Sequence, residues 1–440
     1  MKKRNNVKAL FEGLHTFILL WATQALSALG SSMTSYALVI WSYQQTGSAL
    51  STSLLAICSY APYVLLSIFA GALSDRWNKK HTMLVCDTIA AVSTAALFYL
   101  LRAGSLEIWH LYFINGLNGL MNTIQQPASD VAVSLLTPKK QYQRVSGMRS
   151  FSNSLITVLN PIAAMTVMSF WGIGAVIAID LTTFAAAFFT LAFFIRIPEN
   201  RPVSGVRPGS LIKAAGEGLG YMRENRGILD LILFLAAINL VASMYDAALP
   251  AMLLSRNGGS KMALGWVNAC GGIANLAGSI WVSMSAPPKS RMRIICNSLL
   301  FSMSTENFFL AFGKSTPVWC LGAVLGWLFI PFMSANMDVL IRSHTPLEIQ
   351  GRVYSVRNTL QFFTIPVGYL LGGLFVDKVF EPIMGTQASG GYLVRAFGSG
   401  KGSGAAMLFF FLGIAGVLIC LYFRKDRHLW ELEEERRGQK

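Results

Sequence analysis

Among the carboxylates inside the long apolar runs of this 440-residue chain, the candidates for chemistry are Asp87, Asp180, Asp246 and Glu306. An ionisable side chain at mid-membrane costs about 2.5–3.5 kcal/mol even on a lenient insertion scale, so each needs a partner, water or a function. The chemistry open to such a group is to take up a proton or cation on one side of a membrane and release it on the other. Asp246 lies well inside its run, within Asn239…Tyr245-Asp246…Pro250, and Glu306 is central in its own, beside Asn307. Both are candidates for proton or cation coupling. The alternatives are an interface carboxylate for Asp246 and a buried, hydrogen-bonded carboxyl for Glu306. Asp87 begins its run close to Lys79 and Lys80, one of which it would neutralise, and Asp180 is expected at the membrane interface.

Uncharged polar residues mark two further faces. Asn115, Asn118 and Asn122 recur at helical spacing and so share a face, continued by Gln125 and Gln126. Gln24, Ser27, Ser31 and Ser32 lie in the first apolar run. Such a face either lines a cavity or bonds one helix to another. The cavity candidates are Gln24, Asn115, Asn122, Gln126, Asn239 and Tyr245. The five histidines (His15, His81, His110, His344, His428) form no His-x-x-x-His or His-Glu-x-x-His pair, and no Gly-x-x-x-x-Gly-Lys-[Ser/Thr] loop occurs. No metal, nucleophile or nucleotide site follows, and no cofactor is expected. The six cysteines lie in or beside apolar segments and read as core packers.

The elements that must carry these residues are membrane helices. The chain is 53% hydrophobic and 13% charged, where a soluble domain carries about 25% charge. Spanning runs are expected at roughly 14–41, 50–73, 83–101, 108–135, 147–169, 175–195, 229–253, 262–285, 292–312, 317–341, 353–376 and 404–423. Ten-residue alternating segments, the mark of a barrel, do not occur. The first run is too long for a cleaved signal and reads as a signal-anchor helix. Between the sixth and seventh runs, the Leu211-Ile212…Ala215…Leu219…Met222 pattern predicts an amphipathic surface helix.

With the N-terminus inside, 29 of the 36 Lys and Arg fall on the inner side and 7 on the outer. That bias puts both termini in the cytoplasm of a multi-pass cell-membrane protein. It also accounts for the net charge of +15 without nucleic acid. An internal repeat runs at a constant offset of 208: Asp130-Val131 matches Asp338-Val339, Thr137-Pro138 matches Thr345-Pro346, Arg144-Val145 matches Arg352-Val353, and Arg149 matches Arg357. The expected fold is all-α, with twelve transmembrane helices in two pseudo-symmetric six-helix bundles. The bundles are 1–197 and 227–424, joined by a linker at 198–226 and followed by a charged tail at 425–440.

The turn between the second and third runs is Gly71-Ala72-Leu73-Ser74-Asp75-Arg76-Trp77-Asn78-Lys79-Lys80. It resembles the signature loop of the major facilitator superfamily, with Asn78 where a second Gly is usual. The resemblance implies a secondary transporter with a central cavity and alternating access. It also implies a latch in which Gly71, Asp75 and Arg76 meet the start of the eleventh helix at Arg352, with Asp130 as partner of Arg76. Further stretches are similar to the macrolide-efflux branch: Gln45-Thr46-Gly47-Ser48-Ala49, Ile179-Asp180 with Phe184, Gln350-Gly351-Arg352-Val353, Gly372-Gly373-Leu374-Phe375-Val376-Asp377, Phe380-Glu381-Pro382 and the glycine-rich 390–404 loop. That branch implies a monomer in membrane lipid that exports small amphipathic compounds in exchange for protons. An importer or lipid flippase is the alternative on the same scaffold, and a membrane-embedded enzyme is the alternative from another class. Two departures are plain: Asn115 stands where many proton-coupled exporters carry Arg, and Asn160-Pro161-Ile162-Ala163-Ala164-Met165 stands where they carry Gly-Pro-x-x-Gly-Gly.

Overall fold

The structure is a computed structural model that describes residues 15–137, 142–197, 216, 219–256, 259–286, 288–345, 350–387 and 391–438. Within these, only the backbone is described for 67–76, 134, 142–144, 146–147, 150, 342, 350–352, 354–355 and 434–438. The described residues are helical, with turns and no strand. In chain order the helices are α1 His15–Thr46, α2 Ala49–Arg76, α3 Lys79–Arg102, α4 Ile108–Leu136, α5 Tyr142–Trp171 and α6 Ile173–Phe189. There follow α7 Arg226–Ser255, α8 Lys261–Met284, α9 Arg291–Phe312, α10 Thr316–Leu328, α11 Ile330–Ser343, α12 Gln350–Phe362 and α13 Thr364–Leu374. The last are α14 Glu381–Gly385, α15 Tyr392–Phe397, α16 Ser403–Arg424 and α17 Arg427–Gly438. Each expected span overlies one helix or a run of helical segments. Among the described residues, eight such stretches are long and apolar enough to cross a membrane.

Two expected spans are broken, and both breaks have a chemical cause. Phe329 interrupts α10 and α11 two residues before Pro331, and Phe363 interrupts α12 and α13 three residues before Pro366. Proline has no N–H for the carbonyl four residues back, and its ring crowds that turn. Single π turns follow α6 at Thr190–Phe194 and α13 at Phe375–Phe380. The second brings Asp377 and Glu381 to the end of their span.

The chain forms two compact units. Unit one comprises 1–41 and 58–206; unit two comprises 42–57 and 207–440. In unit one, α3 packs on α4 and α6, and α5 on α6. Its core includes Leu20, Met83, Ala128, Ala132, Leu191 and Ile195. Gly119 lets α4 approach α2 so closely that a Cβ would strike the Ser59 carbonyl.

In unit two, α7 packs on α13 and α16, α9 on α10 and α16, and α8 on α10. Gly372 of α13 rides on α7: a Cβ there would lie 2.8 Å from Met244 Cα and 2.9 Å from Ala247 Cβ. The expected charged tail is the helix α17, which docks on α7. Leu432 joins a cluster with Ile228, Ile232, Met222 and Val353, and Leu429 is fully buried. Of the predicted amphipathic linker helix, 219–224 is helical, and Leu211, Ile212 and Ala215 lie outside the described residues.

Close approach at Gly372 gives a stability test. Gly372→Val forces α13 away from α7 and is expected to cost about 1–3 kcal/mol. A thermal melt of the detergent-purified protein should show a midpoint several degrees lower. An unchanged midpoint would mean that the two helices do not meet at this glycine.

Candidate functional site

In unit two, the sequence candidates Tyr245 and Glu306 come together. Tyr245 of α7 donates its hydroxyl to Glu306 Oε1 of α9 at 2.6 Å, and Trp327 Nε1 of α10 donates to the same oxygen at 3.0 Å. Gly326 lies against the carboxyl so tightly that a Cβ would come within 2.6 Å of Glu306 Cβ and Cδ. Phe409 of α16 closes the group, edge-on to the Tyr245 ring at 5.2 Å. Glu306 is 6% exposed and Tyr245 8%. Four helices therefore converge on one buried carboxyl whose first oxygen accepts two hydrogen bonds.

Asp246 follows Tyr245 in the chain but points elsewhere, because successive helix residues are turned by about 100°. It is exposed on unit two, and Tyr369 Oη of α13 reaches Asp246 Oδ2 at 3.5 Å. Adjacent positions on α7 thus carry one buried and one accessible polar group. Asn239 lies further back on α7 and donates to the Gln361 carbonyl at 3.3 Å.

In unit one, Gln125 Nε2 donates to Asp87 Oδ1 at 2.7 Å, and Gln24 of α1 faces the same carboxylate. Asp87 does not neutralise Lys80, which instead donates to the Ala192 and Ile195 carbonyls at 2.8 Å each, at the end of the sixth span. Gln126 and Asn122 are exposed. Asn115 and Asn122 line a cavity with Asn118, Thr34 and Asp180. Asp180, expected at the membrane interface, is only 5% exposed and accepts a hydrogen bond from Ser31 of α1 at 2.8 Å.

Of the latch candidates, the side chains of Gly71, Asp75, Arg76 and Arg352 lie outside the described residues. Asp130 is held by Arg149 of α5 at 2.6 Å, and its expected pairing with Arg76 lies outside the described residues. The equivalent pair 208 positions on, Arg357 to Asp338, closes at 3.2 Å in unit two. The internal repeat is therefore matched by one ion pair in each unit, joining α4 to α5 and α11 to α12.

Three acids with no role expected from the sequence stand at helix starts. Asp377 accepts from the Ala49 and Leu50 amides of α2 at 3.0 and 2.9 Å and from the Ser48 hydroxyl. Glu381 accepts from the Gly402 and Ala405 amides at the start of α16. Glu433 of α17 accepts from the Arg291 amide and the Ser290 hydroxyl at the start of α9, both at 2.6 Å. One signal for the first two was present in the sequence: Gln45–Ala49, Gly372–Asp377 and Phe380–Pro382 each resembled the same branch, as separate stretches. Arg256 does the opposite at helix ends. It donates to the Leu310, Ala311 and Phe397 carbonyls and lies over Trp319. Burial lowers its pKa to about 10.

A sequence model of the Major Facilitator Superfamily matches residues 20–369. The chain belongs to that family. It is 25% identical over 383 residues to macrolide efflux protein A of Streptococcus pyogenes, covering 86% of this chain and 92% of the relative. It is 22% identical to the multidrug efflux pump Tap of Mycolicibacterium fortuitum, over 76% of this chain and 82% of that one. Among solved structures, a bacterial homologue of the human lysosomal transporter Spinster superposes with a TM-score of 0.64 at 14% identity, covering 96% of this chain and 98% of that chain. This facilitator-superfamily chain is thus an all-helical, multi-pass membrane transporter.

The Glu306 cluster carries its own test. Tyr245→Phe removes one of the two donors to a buried carboxyl, a loss of about 1–3 kcal/mol. The melting midpoint should fall, and Trp327 fluorescence should shift as its carboxyl partner relaxes. A variant that melts like the parent with the same emission would mean that the Tyr245 hydroxyl does not hold Glu306.

Proposed function

We propose that this transporter exports small amphipathic molecules of the macrolide type across the cell membrane, in exchange for protons and by alternating access. The observation that carries the reading is similarity to macrolide efflux protein A along most of both chains, reinforced by similarity to a multidrug efflux pump. On this reading the chain works as a monomer of twelve transmembrane helices with both termini in the cytoplasm. Residues 1–197 and 227–424 are the two moving bundles, 198–226 is the linker and 425–440 the tail. Gly71, Asp75, Arg76, Asp130 and Arg352 form the latch that biases one state.

Asp246 is the proposed coupling carboxylate, supported by its accessibility beside Tyr369. It can exchange a proton with water, whereas the Glu306 carboxyl is engaged by Tyr245 and Trp327. Glu306 then acts as a positioning group that fixes Tyr245, and with it the face of α7 that presents Asp246. Gln24, Asn115, Asn122, Gln126 and Asn239 supply polar contacts along the substrate path.

Expression in a bacterial host stripped of its own efflux pumps tests the export reading. Erythromycin accumulation should fall at least several-fold, and everted vesicles should alkalinise when the compound is added. Faster uptake of the compound would point to import and overturn the assignment. Asp246→Asn is expected to reach the membrane at normal levels yet lose compound-dependent alkalinisation. If it keeps normal proton exchange, coupling does not reside at Asp246.

A further inference from the structure

The cavity in unit one shares Asn115 and Asn122 with the proposed substrate path, but Asp180, Ser31 and Thr34 in its walls have no part in that path. It measures about 90 Å³ and is lined by α1, α3, α4 and α6, with Ser31, Thr34, Thr94, Asn115, Asn118 and Asp180 among its walls. A drug-sized ligand needs several hundred Å³. A single water needs about 10–15 Å³, so this space suits a few waters or a hydrated ion. Its polar walls offer hydroxyl, amide and carboxylate oxygens, which are ligands for hard cations.

The charge of the lining is specific. Asp180 is the acidic residue of the lining, and the lining holds no Lys, Arg or His. Divalent-cation sites gather several carboxylates; one negative charge balances one positive charge. Asp180 accepts at Oδ1 from Ser31. Thr34 is 6% exposed and lines the same space, and its hydroxyl oxygen has no hydrogen-bond partner. It faces the Asp180 carboxylate. A buried hydroxyl left in this way is destabilising unless something in the cavity engages it.

Close packing holds the walls at this spacing. At Gly30, one turn before Thr34, a Cβ would lie 3.0 Å from Asp180 Cα and would also strike the Thr183 hydroxyl. On α4, Asn118 is oriented by Ser93, which donates to its Oδ1 at 2.9 Å. Ser31, Ser35 and Asn122 are exposed, so the cavity communicates with the surface of unit one.

We propose that this cavity binds a small monovalent cation of the Na⁺ class, held by the Asp180 carboxylate, the Ser31 and Thr34 hydroxyls and retained water. Binding here does not depend on the export reading, because it is measured without substrate or transport. The test uses the full chain in detergent and radioactive Na⁺ in a choline buffer of constant ionic strength. The parent should bind saturably, with Na⁺ competing and choline not competing. Asp180→Asn should abolish binding, and Thr34→Val should weaken it about tenfold. Thr34→Val also separates binding from folding. The Na⁺-free melting midpoint reads folding by itself, while the Na⁺-induced increase should shrink. Absence of saturable Na⁺ binding in the parent overturns the proposal, as does undiminished binding in either variant.

Discussion

Asp377 reaching the first amides of α2 shows the constraint on which much of this structure depends. Every helix leaves four N–H groups at its start and four carbonyls at its end without partners. In an apolar surround those groups must find partners inside the protein. Here charged side chains from elsewhere in the chain meet that demand. Asp377, Glu381 and Glu433 take the amide ends of α2, α16 and α9. Lys80 and Arg256 take carbonyl ends. Each charge sits at the helix pole of opposite sign, where a partly buried geometry is worth up to about 2 kcal/mol. The same contacts set the order of the chain in space. Asp377 and Gly373, which meets Leu50 and Ser53, assign the start of α2 to unit two although most of that helix belongs to unit one.

Once those acids are engaged at helix ends, the remaining carboxyls differ sharply in what surrounds them. Glu306 is enclosed by two donors and a glycine contact. Asp87 is joined to α4 through Gln125. Asp246 is accessible, and Asp180 opens on a polar cavity. Burial of an ionisable group is expensive unless its bonds are completed, so these surroundings sort the four by the work open to them. The first two hold helices together. The last two face open space.

The internal repeat has a physical counterpart. Asp130–Arg149 and Asp338–Arg357 join equivalent helices at the same 19-residue separation. The Asp130–Arg149 pair, exposed on both sides, contributes little stability, about 0–1 kcal/mol. The value of both pairs is geometric: each ties one helix to the next, once per unit.

Much of the architecture is written in the composition and spacing of the chain. Apolar runs long enough to cross a bilayer located the helices to within a few residues, because hydrophobic length is a local property. The 208-residue offset marked the paired acids and bases, because a repeat conserves chemistry at fixed spacing. Which prolines break a helix was not legible in this way: spans ten and eleven are interrupted just before Pro331 and Pro366, whereas Pro62, Pro127, Pro161 and Pro250 lie inside continuous helices. Partnership was not legible in this way. Asp180 and Glu306 look alike in sequence, each a single acid in an apolar run. Only the packing of α1 on α6, and of α7, α9 and α10 on one another, made one a cavity wall and the other a buried junction. Tyr245 and Asp246 are neighbours with opposite surroundings, decided by helix rotation against α9 and α13. Ser48 and Asp377 are 329 residues apart. Long-range contacts of this kind depend on which faces meet, and that is settled by the whole fold at once.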